Sequence, residues 1–135
     1  MERKSGYTKL FKVKNKTAEL VSAAMIKSLK PFDCLVDTIT LDNGKEFADH
    51  QRVNLELGNT IYFADPFSSW QRGTNENFNG LLRQYIPKDR PLSTVTQEEL
   101  KMIENKLNHR PRKRLGFRTP HEVFHESLNR VALRV

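Results

Sequence analysis

Apolar and polar positions alternate near the start of the chain. Tyr7, Phe11 and Val13 fall on one face by period two, with Lys12 and Lys14 on the other, which predicts a strand over 7–13. Asn15-Lys16-Thr17 reads as a turn ending in a helix N-cap. The period then changes. Val21, Ala24, Met25 and Leu29 recur at spacings of three and four, which predicts a helix that Pro31 stops. Thr38 to Leu41 is a short β-rich run ending at Asp42-Asn43-Gly44. Lys45 to Leu57 is weakly helical and closes at Gly58, and Thr60 to Ala64 is a second short strand. Asp65 to Ser69 reads as a loop. A helix is expected from about Thr74 to Tyr85, and another from the capping-box pair Thr96 and Glu99 through Leu100, Ile103 and Leu107. A last helix opens at Thr119-Pro120-His121-Glu122 and spans about 120–131, with Val123, Phe124, Leu128 and Val131 as its buried stripe.

Strands interleaved with helices predict an α/β layer architecture. Three strands make a narrow sheet for this many helices, so the chain is expected to begin part-way through a fold. At 135 residues it has the size of one domain. The longest unbroken apolar runs, Ala23 to Ile26 and Ile61 to Ala64, are four residues each. A membrane helix needs about 20, and no apolar stretch follows Met1 as a secretory signal would. Cys34 is the single cysteine, so neither an internal disulfide nor a thiolate zinc site is expected, and a small, at least half-buried side chain is. The net charge is +7. It favours phosphate-rich partners through counterion release. The charge is also concentrated: Arg110, Arg112, Lys113 and Arg114 crowd one proline-bearing stretch, while acidic residues are scattered, adjacent only at Glu98-Glu99.

Two carboxylates stand out by position. Asp42 sits where a strand ends and a glycine turn begins, the carboxyl edge at which α/β folds place their sites. An Asp-Asn-Gly turn needs no other purpose, and that reading stands beside the functional one. In the helix after Thr74, Phe78, Leu81, Leu82 and Tyr85 form an apolar stripe, and Glu76 lies opposite with Asn79, Gly80 and Arg83. Gly80 costs that helix about 1 kcal/mol relative to Ala, which points to a close approach on the polar face. A solvated face with an acid near the positive helix end is the plain alternative.

The stretch Ser68-Ser69-Trp70-Gln71-Arg72-Gly73-Thr74-Asn75-Glu76-Asn77 carries more hydrogen-bonding side chains than a connection needs. Together with Leu41 to Phe47 it resembles the integrase-type catalytic core of DDE transposases, and more closely the bacterial insertion-sequence family numbered thirty. The resemblance continues through Tyr62 to Pro66, Asn79 to Tyr85, Leu107-Asn108, Arg110 to Lys113 and Thr119 to Phe124, in that order. It covers about Glu2 to Phe124, so the whole chain, 1–135, is expected to be a single partial core domain. Asp42 and Glu76 are separated by 33 residues, a spacing the family uses for its second and third acids.

The resemblance implies a ribonuclease-H-like integrase core, incomplete because its opening strand is absent, with C-terminal helices. It implies a transposase fragment that cleaves DNA and transfers strands in transposition and integration. Asp42 and Glu76 would be the catalytic residues and the ligands of Mg²⁺ or Mn²⁺. Two such ions serve both ends of an in-line displacement at phosphorus, and carboxylates suit these hard cations. Arg72, Asn75, Asn79, Arg83, Arg110, Arg112, Lys113 and Arg114 are the DNA-binding candidates, and Trp70 either stacks on a base or packs beside the helix. The expected partner is DNA, insertion-sequence ends and target, in the bacterial cytoplasm at the nucleoid, with no membrane. Self-association or pairing with a full-length transposase is the candidate protein partnership.

One departure bears on activity. The family's first acidic residue lies on the opening strand, and none of Glu2, Glu19, Asp33 or Asp37 matches it. Two carboxylates hold Mg²⁺ far more weakly than three, so this chain alone is expected to be inactive. The alternative function is a non-catalytic DNA-binding or transposase-interacting remnant, and a nuclease acting on RNA–DNA hybrids shares the chemistry. His50, His109, His121 and His125 share no metal spacing with Cys34. His121 and His125 stand four apart with no third ligand evident, and a structural or surface role is expected.

Overall fold

The computed structural model describes residues 1–41, 44–63 and 73–133, the side chains of residues 34, 73–76 and 131–133 excepted. The chain divides into two compact units, one of Val13–Arg72 and one of Met1–Lys12 with Gly73–Val135.

The contiguous unit is a β-α-β arrangement with a helix ahead of it. Helix α1 (Ala18–Leu29) starts where Thr17 accepts a hydrogen bond from the Leu20 amide, and Pro31 falls in the turn that follows it. Strand β1 (Thr38–Leu41), helix α2 (His50–Leu57) and strand β2 (Thr60–Phe63) come next. The strands pair in parallel, Thr38 opposite Thr60 through Leu41 opposite Phe63. Parallel partners need a crossover, and α2 supplies it. Gly58 ends α2 at φ 65°, the left-handed conformation a glycine adopts most readily. Leu41, Val53 and Leu57 are buried. α1 packs on α2, and Ser22, buried on α1, satisfies its hydroxyl on the Ala18 carbonyl at 2.7 Å.

The discontinuous unit is helical. Its helices are α3 (Gly73–Leu82), α4 (Gln97–Asn108) and α5 (Pro120–Leu133), and Leu100, Ile103 and Leu107 of α4 form a buried cluster with Ile86 and Val95. The stripe expected on α3 is there: Phe78, Leu81, Leu82 and Tyr85 pack against that cluster. Thr96 caps α4 by accepting from the Glu99 amide at 3.1 Å, and Thr119 caps α5 by accepting from the Glu122 amide at 3.1 Å. Both caps fall where the sequence places them.

The strand expected over 7–13 is not one, and its facing is also corrected. This extended segment pairs with no described strand, because side chains of α4 take its backbone groups instead. Thr8 exchanges two bonds with Asn108, the Leu10 amide donates to Glu104 at 3.0 Å, and the Lys12 amide reaches Gln97 at 3.4 Å. These partners draw Thr8 and Leu10 inward, and Phe11, expected to share the apolar face with Tyr7 and Val13, is 42% exposed. Tyr7 instead stacks on Phe124 of α5, rings 4.2 Å apart and 5° from parallel.

Candidate functional site

Asp42 follows the last residue of β1 and lies outside the described residues, as do Arg72, Trp70 and the Asp65–Ser69 loop. Glu76 and Asn75 fall in the first half of α3, and of these two only the backbone is described. The same holds for Cys34, whose side chain was expected to be at least half-buried.

On the polar face of α3, Asn79 and Gly80 are exposed, and a methyl group built on Gly80 meets no atom within 4 Å. The close approach expected there is therefore not supplied by any described part of the chain. Arg83 is exposed just beyond α3, where its guanidinium makes a long 3.5 Å contact with the Ile86 carbonyl.

The basic stretch is folded into a short loop after α4. Arg110 is exposed and reaches Gln84 at 3.4 Å, Arg112 is half-buried and donates to the Leu107 carbonyl at 3.0 Å, and Arg114 donates to the Lys4 carbonyl at 3.1 Å. Lys113 is exposed. None of the four forms an ion pair with a described acidic residue, whereas Arg90, Arg118 and Arg130 each do, at 2.5–2.7 Å at their shortest. Burial, and then the like charges of Arg110 and Arg114, push the Arg112 guanidinium below its usual pKa. A cluster that repels itself and lacks counter-charge attracts anions, and guanidinium forks match phosphate geometry.

A cavity of about 220 Å³ is lined by Arg112, Lys113 and Arg114 of this loop, by Asn77, Phe78 and Leu81 of α3, and by Met1 and Gly6. The structure thus brings the basic stretch beside the helix that carries Glu76, although about 30 residues of intervening chain hold them apart in the sequence. Asn77 belongs to this wall and was signalled only by its place in the polar run before Asn79.

A second assembly was half visible in the sequence. His121 and His125 lie with ring centroids 4.1 Å apart, and His109 at the end of α4 stacks on His121 at 4.5 Å. The third imidazole is present, but among the described residues no group of three or more His, Cys, Asp or Glu is arranged to hold a metal ion. The expected structural role fits: the cluster sits beside the Tyr7–Phe124 stack, with His125 edge-on to both rings. Among the described residues no helix is long and apolar enough to cross a membrane.

No protein-family model matches the chain. A transposase for insertion sequence element IS4351 of Bacteroides fragilis is 50% identical over 118 residues, which are 87% of this chain and 36% of the relative. The transposase InsI for insertion sequence element IS30C of Escherichia coli K12 is 44% identical over 125 residues, 92% of this chain and 33% of the relative. A transposase for IS1086 of Cupriavidus metallidurans is 43% identical over 129 residues, 95% and 38%. The chain spans about a third of the length of these curated relatives. Its fold matches the catalytic core domain of BIV integrase with a TM-score of 0.68 and 23% identity, over 93% of this chain and 82% of that one. Over nearly its whole length the chain is similar to a stretch about one third as long as these IS30-type transposases, and it has the ribonuclease-H-like α/β fold of an integrase catalytic core.

Proposed function

We propose that this chain is part of a DNA transposition and integration enzyme, in which Asp42 and Glu76 hold divalent metal and the basic loop holds DNA. The observation that carries it is the cavity at which Arg112, Lys113 and Arg114 face α3. A phosphodiester bound by those cations would lie against the Asn77, Phe78 and Leu81 side of α3, and a duplex would have to continue past it to reach the face on which the helical period places Glu76. The carboxylate chemistry of Asp42 and Glu76 suits Mg²⁺ or Mn²⁺, which when bound supplies charge stabilisation at the reacting phosphate. Asn79 and Arg83, exposed on and just past α3, share the face of Glu76 and would meet phosphates there, with Arg72, Asn75 and Arg110 as further contacts.

Asp42 and Glu76 without the third carboxylate that the resemblance implies would bind metal weakly and would not cut DNA. A second reading is favoured by the unpaired cations, which need no metal to attract DNA: a piece that binds DNA, or pairs with full-length transposase, and cuts nothing. Action on DNA suits the bacterial cytoplasm, at the nucleoid, for either form.

The test is Mn²⁺ binding followed by calorimetry in the presence of a duplex, for the chain and for Asp42→Asn and Glu76→Gln. Loss of binding in both variants is expected. Unchanged affinity in either removes that residue from the site. Metal-dependent nicking of plasmid by the unaltered chain would refute its inactivity alone.

A further inference from the structure

Phe117 stands on the basic loop and is 71% exposed, although it is a large apolar side chain. Its φ is 64°, the one non-glycine residue with positive φ among those described. An L-residue in the left-handed region costs about 1–2 kcal/mol, and a bulky one there is an outlier. Gly116, at the same φ, meets that demand at no such cost. Folding alone therefore has no use for an aromatic ring at 117: it buries little and strains its own backbone.

The conformation is nonetheless fixed. The Phe117 amide donates to the Arg112 carbonyl at 2.9 Å, and the Arg112 amide donates to the Arg118 carbonyl at 3.0 Å, closing the loop upon itself. Its two feet are tied by their side chains, Arg112 to the Leu107 carbonyl at 3.0 Å and Arg118 to Glu126 at 2.7 Å. A rigid loop thus presents an uncovered aromatic ring three residues from Arg114 and four from Lys113, cations with no described acidic partner. An occupant that suits both features carries negative charge beside a flat apolar face, which describes a nucleotide.

We propose that Phe117 stacks on, or wedges beside, a base of the DNA whose phosphates are held by Arg112, Lys113 and Arg114. Apolar wedges of this kind unstack base steps in bent DNA, and stacking on an aromatic ring is tolerant of sequence. The proposal rests on the reading that this chain binds DNA, and assigns to that reading a contact with a base.

The test uses the full chain and a labelled duplex carrying 2-aminopurine at successive positions, read by anisotropy and by base fluorescence. The unaltered chain is expected to change the emission at one or two adjacent positions. Phe117→Ala should lose that change and bind about five- to a hundredfold more weakly. Its dependence on salt should stay the same, because no charge is removed. Phe117→Trp should retain the signal. Phe117→Gly should lose it while melting at the same or a higher temperature, which separates a base contact from a structural role. Undiminished affinity and emission in Phe117→Ala overturn the proposal and leave the DNA reading standing. Absence of any binding by the unaltered chain overturns both, and binding to an acidic polypeptide that depends on Phe117 while DNA binding does not overturns the choice of occupant.

Discussion

Asn108 grips the backbone of Thr8 on both sides: its Oδ1 accepts from the Thr8 amide at 2.9 Å, and its Nδ2 donates to the Thr8 carbonyl at 2.9 Å. Both residues are buried. One amide side chain does here what an adjacent strand does in a sheet.

Asn108→Ala leaves a buried N–H and a buried C=O without partners, which costs about 2–3 kcal/mol. Denaturant unfolding should show the stability falling by that amount with little change in slope. A loss under about 0.5 kcal/mol would mean that water reaches Thr8 and the clamp contributes little.

Gly58 isolates a backbone effect. A methyl group there meets nothing within 4 Å, so the space is open and only the φ of 65° resists a side chain. Gly58→Ala should destabilise by about 1–2 kcal/mol and Gly58→Asn by less, since Asn tolerates the left-handed region. Thermal melting of the two variants side by side reads the difference.

Acidification should lower stability in two separate steps. Burial first, then the charges of His125 and His109, holds His121 below its usual pKa of 6.5, with Glu122 opposing them. The unfolded chain therefore takes up that proton before the folded one. Stability declines as pH drops below 6.5 towards the lower folded value. Glu99 and Glu126 are lowered by their bonds to Arg90 and Arg118. Their contribution is present above the unfolded value of 4.5 and is lost as pH falls below it. Melting temperatures across this range, for the chain and for His121→Phe, check the assignment: the variant should flatten the first step and keep the second.

Binding to DNA should weaken steeply with salt. Removing one cation that neutralises a phosphate makes the slope of log K against log salt shallower by about 0.9. Arg110→Ala with Lys113→Ala should reduce the slope by nearly twice that value, on any duplex sequence. An unchanged slope would place the DNA elsewhere on the chain.

The helices were legible because their signals are local. Thr17, Thr96 and Thr119 each satisfy an amide three residues ahead, and Gly58 is a stop that any sequence window contains. Residues 7–13 misled because a period-two pattern says extended and does not say what pairs with it. The partners, Glu104 and Asn108, lie more than 90 residues away and belong to a helix. The candidate site is legible only in part for the same reason. A carboxylate after a strand or near a helix start looks like ordinary turn and cap chemistry, so Asp42 and Glu76 stand out through their company of motifs. Phe117 and the His109–His121 stack gave no local sign, since the exposure of one and the proximity of the other arise only once α4 and α5 have packed.

The clamp between Thr8 and Asn108 also sets an order of events in the cell. The two residues are 100 positions apart, and translation at about 5–20 residues per second puts roughly 5–20 s between them. Residues 13–72 form a contiguous unit that can complete itself while still tethered to the ribosome. Residues 7–12 have left the tunnel by then, with the Thr8 and Leu10 backbone awaiting Asn108 and Glu104 of α4 and the Tyr7 ring awaiting Phe124 of α5. A chain stalled before residue 97 would lack the helix that takes up the backbone groups of Thr8 and Leu10.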